Sequence, residues 1–189
     1  KQFPVKKAFS RGHHQVFGRI KQIIEEQKGY SAITDSAIFA NPNQRYLGSQ
    51  QKAYFKYKYN YRKKLFWGIT AEKDPGEEFF KGTQKQGFDF YSAHLQINDI
   101  KLYKDAVAFK TVCFGDYELQ FGQGLTMWSG MAMGKSNSVI NIKKRGYGLK
   151  RYTSSDENLF MRGAATTIRL KDIDITGFFS HKNIDANIS

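Results

Sequence analysis

The densest group of residues able to bind a charged partner is a basic segment in the second half of the chain. Its cations are Lys143, Lys144, Arg145, Lys150 and Arg151, which surround a Gly-Tyr-Gly sequence at 146–148. Positive side chains beside an aromatic ring and flexible glycines can follow a phosphate backbone. A solvated surface loop has the same composition. The segment therefore predicts polyanion contacts, with a solvated loop as the alternative.

Three further cations are candidate contacts because of their positions in predicted strands. Lys56 and Lys58 share one row of an alternating segment at 51–61, and Arg162 falls in register with Phe160 and Ala164. An arginine at such a position would line the interior of a barrel, whereas in a sandwich it would need a carboxylate partner. We predict anion or polyanion contacts at Lys56, Lys58 and Arg162 as well.

The sequence contains no pattern that is typical of a catalytic site or a metal site. The four histidines, His13, His14, His94 and His181, lack metal-ligand spacing to another His, Cys or carboxylate. The acidic residues Asp74, Glu77 and Glu78 share one loop, whereas an acid and base pair must converge on one site. We predict no catalytic residue, no metal site and no cofactor, and hence a protein that is not an enzyme.

The single cysteine, Cys113, limits the class of protein. One cysteine forms no internal disulfide, so the sequence excludes a disulfide-stapled secreted module. Cys113 lies between Val112 and Phe114 in an alternating segment, on what the sequence predicts to be the apolar row. We predict a buried or lipid-facing thiol rather than a nucleophile.

The clearest element is the segment 51–61, QKAYFKYKYNY. Its odd positions from 53 to 61 are apolar or aromatic, and its even positions hold three lysines and Asn60, with Tyr54 as the exception. A period of two indicates a β-strand with two unlike faces. The faces could separate lipid from water, a core from solvent, or a core from a polyanion.

The same period recurs along the chain. It predicts strands near 64–72, 88–97, 106–121, 158–170 and 173–179. Arg62-Lys63 predicts a two-residue hairpin, 1–13 an irregular lead-in, and 14–25 either a helix or a strand. Long loops are predicted near 30–50, 73–86 and 134–156. Short connections alternating with long ones are typical of transmembrane barrels.

Composition leaves two classes open. The chain has 30 basic and 17 acidic residues among 189, a formal charge of +13, which favours anionic partners such as nucleic acid or lipid headgroups. No run approaches the roughly 18–20 apolar residues of a transmembrane helix. A soluble β-sandwich shows the same alternation as a membrane barrel. The chain starts at Lys1 without an initiator Met or signal peptide, which predicts a processed product or a piece of a longer protein.

Several longer runs resemble a known family. They are TAEKDPGEEFF (70–80), KQGFDFYSAHL (85–95), FGDYELQFGQGLTMWSGMAMGKS (114–136), NIKKRGYGLKRYTSSDENLFMRGAATTIRL (141–170) and FFSHKNIDANI (178–188). In this order they resemble the barrel region of bacteroidete-type outer-membrane proteins of the helix-hairpin-helix (DNA-uptake-like) family. RIKQIIEEQKGY (19–30) fits the start of that region, where the family has a strand, so the resemblance favours a strand there.

The resemblance implies an all-β fold, an antiparallel transmembrane β-barrel of which residues 14–189 form the N-terminal part. It implies a bacterial outer-membrane location, lipid and other envelope proteins as partners, and a structural, transport or envelope-assembly role. The family's DNA-binding label rests on helix-hairpin-helix segments that this sequence lacks, so DNA contact is not carried over. On such a barrel the odd positions 53–61 would face lipid, and Lys56, Lys58 and Lys110 would make the lumen basic.

Two other functions remain as alternatives. The charge and the Tyr- and Lys-rich segments also fit a soluble, all-β, basic nucleic-acid-binding module. An enzyme with its site in the loops 73–86 and 134–156 is the third hypothesis, because outer-membrane barrels can carry hydrolases.

Overall fold

A computed structural model describes residues 11–32, 34–40, 45–82, 84–103, 107–130 and 146–183. Its strands are β1 (His13–Lys21), β2 (Lys52–Tyr61), β3 (Leu65–Lys73), β4 (Phe90–Tyr103), β5 (Val107–Gln120), β6 (Gly148–Arg151), β7 (Met161–Leu170) and β8 (Ile173–Ser180). They form one sheet with the order β1-β2-β3-β4-β5-β7-β8, and β6 pairs with β5. The predicted all-β, antiparallel class is confirmed. Among the described strands the sheet is open, with β1 and β8 as its edges.

The predicted loops contain regular structure that the sequence did not indicate. A 3-10 turn (Lys28–Tyr30) and a short helix α1 (Asp35–Ala40) fall within or beside the predicted loop 30–50, and β6 falls within 134–156. These elements have three, six and four residues, which is too short for a period to emerge. The ambiguous segment 14–25 is a strand, β1, over most of its length. Of the predicted lead-in 1–13, residues 1–10 lie outside the described residues.

The turn between β2 and β3 is the predicted two-residue hairpin. Lys64 N donates to Tyr61 O at 2.9 Å, and both central residues, Arg62 and Lys63, have positive φ values of 50° and 55°. This left-handed pair is the turn whose twist matches a right-handed ladder. Asn60 Oδ1 accepts a hydrogen bond from Lys63 N at 3.1 Å, which holds the turn from inside the strand.

The chain divides into two compact units, and β1 to β4 contribute residues to both. The smaller unit comprises 16–57 and 70–91, and the larger comprises 1–15, 58–69 and 92–189. In the smaller unit, Lys52 Nζ lies 2.6 Å from carboxylate oxygens of Glu72 and Asp74. Lys73 Nζ donates to the carbonyl oxygens of Ser49, Gln51 and Asp74 at 2.9–3.4 Å. These two lysines attach the start of β2 and the segment before it to the end of β3.

In the larger unit, the part of the sheet formed by β4, β5, β7 and β8 has two unlike faces. Strand pairing aligns rows across it. One set is Leu95–Phe114–Ala164–Phe179, Ile97–Val112–Thr166–Gly177 and Ile100–Phe109–Ile168–Ile175, which we call the apolar face. The other set is Gln96–Cys113–Ala165–Phe178 and Asn98–Thr111–Thr167–Thr176, together with His94, which we call the polar face although it includes the apolar Phe178.

Burial on these faces is inverted relative to an ordinary soluble sheet. On the polar face, His94, Gln96 and Thr167 are each only 6% exposed. On the apolar face, Phe114 is 49% and Phe179 69% exposed. A soluble antiparallel sheet usually buries its apolar face and exposes its polar one. Here the apolar face is left for contact with something other than the described residues.

A β-bulge explains why Cys113 is not on the apolar face. Phe109 and Thr111 pair with adjacent residues of β7, Ile168 and Thr167, so the register shifts between them. Because neighbouring residues point to opposite faces, the shift places Phe109 and Thr111 on opposite faces. The prediction that Cys113 lies on the apolar row of this strand is therefore wrong. The thiol is nevertheless buried, at 1% exposure, as expected.

Two paired glycines of β5 and β7 each lie close to the backbone of the strand on their other side, β4 for Gly115 and β8 for Gly163. Gly115 pairs with Gly163, and their φ values are +84° and +151°. A Cβ on Gly115 would lie 2.2 Å from the carbonyl oxygen of Ala93, and one on Gly163 would lie 2.3 Å from that of Phe179. Both positions therefore exclude any side chain.

The aromatic row of β2 does not share one environment. Tyr59 and Tyr61 are buried, at 1% and 6% exposure, whereas Phe55 is 42% exposed. The expectation that all odd positions from 53 to 61 face lipid is therefore wrong for the two tyrosines. The cause for Tyr59 lies at the start of β1: a Cβ on Gly12 would fall 2.1 Å from the phenol ring, and the His14 ring meets that ring edge-on at 4.8 Å.

Candidate anion site in the larger unit

A pocket of about 190 Å³ brings two of the predicted cations together. Residues from five stretches of the sequence line it: His13, Gln15, Lys58, Tyr59, Asn60, Phe66, Trp67, His94 and Arg151. All of them belong to the larger unit. They comprise one Lys, one Arg, two His, two amides and three aromatic rings. None of them is a carboxylate, so the lining is electropositive.

Arg151, the last residue of β6, is held in the pocket by three contacts. Its backbone N and its Nη1 both donate to Gln96 Oε1, at 3.0 and 3.2 Å. Its guanidinium carbon lies 3.9 Å from the centre of the Phe66 ring, a close cation–π contact. Pairing of Arg151 with Tyr117 fixes the backbone. The guanidinium is thus oriented by protein groups before any ligand arrives.

The charge of Arg151 is not neutralised within the described part of the chain. Among those residues no carboxylate forms an ion pair with Arg151, and its Nε and Nη2 donate to none of them. A half-buried guanidinium normally has an anion beside it, because desolvating an unpaired charge is costly. The Nε–Nη2 edge is the side that binds an oxyanion through two parallel hydrogen bonds.

Lys58 provides the second permanent charge of the pocket. It is half-buried near the end of β2, and within the described chain it forms no ion pair. Its neighbour Tyr59 packs against Trp67, with ring centres 6.1 Å apart. The buried tyrosine therefore fixes the strand on which Lys58 lies.

The other described cations that the sequence predicts as anion contacts lie outside this pocket. Lys150 Nζ lies 3.1 Å from Glu118 Oε2 and 5.2 Å from the centre of the Tyr147 ring. Arg162 forms a two-point ion pair with Asp116. Lys56 is half-buried in β2 and does not line the pocket. Lys143, Lys144 and Arg145 lie outside the described residues.

Lys110 lies at the other end of the polar face, in a second cluster of charge. Its Nζ is 2.7 Å from Asp174 Oδ2, and Asp174 also accepts two hydrogen bonds from Arg169. All three side chains are exposed or partly exposed. Two cations thus share one carboxylate here, and the predicted basic character of this face is partly neutralised.

Sequence reasoning missed most of the pocket lining. His13, Gln15, Asn60, Phe66 and His94 carried no motif that could have joined them, because they lie up to 81 positions apart and meet only through strand pairing. The one signal in the sequence was the alternation of side chains between the two faces of a strand. By that alternation, Phe66 and His94 both occupy the row opposite the apolar residues of their strands. This alternation does not show which strands are neighbours in the sheet.

The described part of the chain contains neither a candidate metal site nor a helix able to span a membrane. No group of three or more His, Cys, Asp or Glu residues there could hold a metal ion. In the same residues, no helix has the length and apolar character needed to cross a membrane.

No family model, no curated protein and no solved structure matches this chain.

Proposed function

We propose that this chain is a non-enzymatic, N-terminal part of an outer-membrane β-barrel, with its apolar face against lipid and its polar face towards an aqueous interior. The single observation that carries the proposal is the inverted burial of the two faces of β4, β5, β7 and β8. Lipid-facing apolar rows and interior polar rows are the pattern of transmembrane barrels. The family resemblance of the longer sequence runs points to the same class.

The composition of the apolar face suits a hydrocarbon environment. Its three rows across four strands contain no charged residue. A shallow groove of about 360 Å³ runs between Phe109, Phe114 and Phe179, and its surface is almost entirely apolar. Leaving such an area in water forgoes roughly 25 cal/mol per Å² of burial. An acyl chain lying along the groove would recover that free energy.

Strand length is compatible with a bilayer span. A tilted strand needs about 9–11 residues to cross the hydrocarbon core. β4 and β5 have 14 residues each and β7 has 10, whereas β8 has 8 and falls about one residue short. The open edges β1 and β8 would pair with further strands in a complete barrel, because an unpaired edge is not tolerated in lipid. In this role the chain contributes structure, transport or assembly in the cell envelope, with lipid and envelope proteins as partners.

The nucleic-acid-binding alternative draws less support from the charges. Lys150 and Arg162, two of the predicted contacts, already pair with Glu118 and Asp116. A soluble module of that kind would also leave the apolar face in water.

A matched pair of lysine substitutions tests the membrane proposal. A lysine on the lipid-facing side of a barrel costs about 2–4 kcal/mol near the bilayer centre. We expect Phe114→Lys to lower stability in lipid vesicles by that order, and Thr176→Lys, on the polar face, to have a much smaller effect. Urea titration of the vesicle-inserted protein measures both. Equal tolerance of the two lysines, or a chain that stays monomeric in buffer without detergent, would overturn the proposal.

A further inference from the structure

The pocket around Arg151 is built for a ligand that carries more than one negative charge. Lys58 and Arg151 contribute two permanent positive charges, and none of the nine lining residues is acidic. Two charges of one sign within one pocket repel each other, and an anion between them offsets that repulsion by attracting both. The described chain supplies no carboxylate to either residue.

The donors are arranged for an oxyanion. Gln96 holds Nη1 of Arg151 and Phe66 covers one face of the guanidinium, so the contacts with described residues leave the Nε–Nη2 edge available. That edge matches two oxygens of a phosphate or carboxylate. Lys58 adds a point charge, and Asn60 and Gln15 add amide donors to the same lining. The two positive charges of the pocket favour a phosphate, which can carry two negative charges, over a monocarboxylate, which carries one.

The size of the pocket limits the ligand. A volume of about 190 Å³ corresponds to roughly six waters at about 30 Å³ each. An inorganic phosphate or a small phosphate ester fits this volume, whereas a folded polymer does not. The rings of Tyr59 and Trp67 give the pocket an apolar wall against which the carbon part of an ester would pack.

We propose that this pocket binds a phosphate group, as the free ion or as the head of a small ester, between Lys58 and the Nε–Nη2 edge of Arg151. In a barrel the ligand would arrive through the aqueous interior, and only this route of access rests on the proposed function. The binding itself needs the larger unit alone.

Phosphate titration of the full chain in detergent tests the site. Trp67 lines the pocket, so a Trp128→Phe background leaves one fluorescent reporter there. Inorganic phosphate, glycerol phosphate and acetate are titrated separately at constant ionic strength set with chloride. We expect saturable signals with both phosphates and a much weaker one with acetate. Equal affinity for inorganic phosphate and its ester would mean that the charged head alone is bound, and tighter binding of the ester would mean that the aromatic wall contributes.

Substitutions then identify the residues. A charge-assisted hydrogen bond lost at Arg151→Met or Lys58→Met should weaken phosphate binding about 10- to 100-fold. Arg151→Lys keeps the charge and loses the two-point edge, so it should still fold and bind more weakly than wild type. Lys64→Met removes the same charge from the exposed turn outside the pocket and should leave affinity unchanged.

Two results would overturn the inference: no saturable phosphate signal, or an equal loss of affinity in Lys64→Met and Lys58→Met. Either result leaves the membrane proposal standing if the lysine substitutions behave as expected in vesicles. Conversely, a chain that binds phosphate but is monomeric in buffer retains this site and loses the barrel.

Discussion

The guanidinium of Arg162 closes onto the buried carboxylate of Asp116 with two hydrogen bonds, Nε to Oδ1 at 2.7 Å and Nη2 to Oδ2 at 3.0 Å. The same two residues are direct partners in the pairing of β5 with β7. The Asp116 side chain is 1% exposed and that of Arg162 is 46% exposed. The pair therefore fixes the register of two central strands and compensates a carboxylate that has lost its water.

Removing the arginine should destabilise the fold more than the loss of an exposed ion pair. Arg162→Met leaves the Asp116 charge buried and unpaired, and we expect a loss of about 2–4 kcal/mol in the free energy of unfolding, less than for a fully buried pair. Urea denaturation in detergent measures it. Arg169→Gln, in the solvent-exposed pair with Asp174, is the control and should leave the midpoint unchanged. Equal midpoints for both variants would refute the structural role of Asp116–Arg162.

The facing glycines of β5 and β7 predict a second stability effect. Gly115→Ala and Gly163→Ala each place a methyl group about 2.2–2.3 Å from a backbone carbonyl oxygen, that of Ala93 in β4 or of Phe179 in β8, so β5 must move away from β4 or β7 from β8. We expect each to cost about 1–3 kcal/mol. Gly177→Ala on β8 is the matched control, since a Cβ there meets nothing within 4 Å. Thermal unfolding monitored by circular dichroism should separate the first two variants from the third.

The hairpin between β2 and β3 offers a stabilising substitution. Lys63 adopts φ 55°, which costs a side-chain-bearing residue about 1–2 kcal/mol. Lys63→Gly removes this strain and, after the added chain entropy of glycine, should stabilise the fold by roughly 0.5–1 kcal/mol. Lys64→Gly lies outside the left-handed pair and should destabilise. If Lys63→Gly and Lys64→Gly both destabilise the fold, the left-handed conformation of Lys63 in this turn is contradicted.

Tyr152, directly after β6, predicts a pH effect. Burial raises the pKa of its phenol from the ordinary 10.0 to about 12, and the nearby Asp156 carboxylate adds to the rise. The folded state therefore holds this proton more tightly than the unfolded chain. Its contribution is complete below pH about 10 and is lost as pH rises towards about 12. Tyr152→Phe should lower stability at neutral pH by about 1 kcal/mol, because the hydrogen bond to the Asp156 carbonyl is lost.

The measurement for Tyr152 is a stability profile from pH 7 to pH 12. Wild type should lose stability relative to Tyr152→Phe between about pH 10 and 12. Parallel profiles for the two proteins would show that the phenol titrates alike in the folded and unfolded chains.

Period-two alternation predicted the strand class and most strand positions, because each strand separates a polar from an apolar row. It failed where the backbone departs from regular pairing. The bulge between Phe109 and Thr111 reverses the faces of β5, and the sequence carries no mark of it. Tyr59 is buried by contacts with Gly12 and His14, which lie more than 40 residues away.

The candidate pocket shows the same limit. Lys58 and Arg151 were each predicted as anion contacts, for separate reasons. Their meeting depends on Gln96 and Phe66, which hold Arg151 from two other strands. Neither residue type nor spacing indicated that role. Charge could be predicted from composition, whereas convergence of charge required the sheet order.

The most direct test of the account compares two neighbouring residues of β8. Ile175 lies on the apolar face and Thr176 on the polar face. In a Cys113→Ala background, Ile175→Cys and Thr176→Cys are each labelled with an environment-sensitive fluorophore and reconstituted into vesicles. We expect a lipid-borne nitroxide to quench the label at 175 and a water-soluble quencher to quench the label at 176. Equal quenching at both positions, or the reverse order, would contradict it.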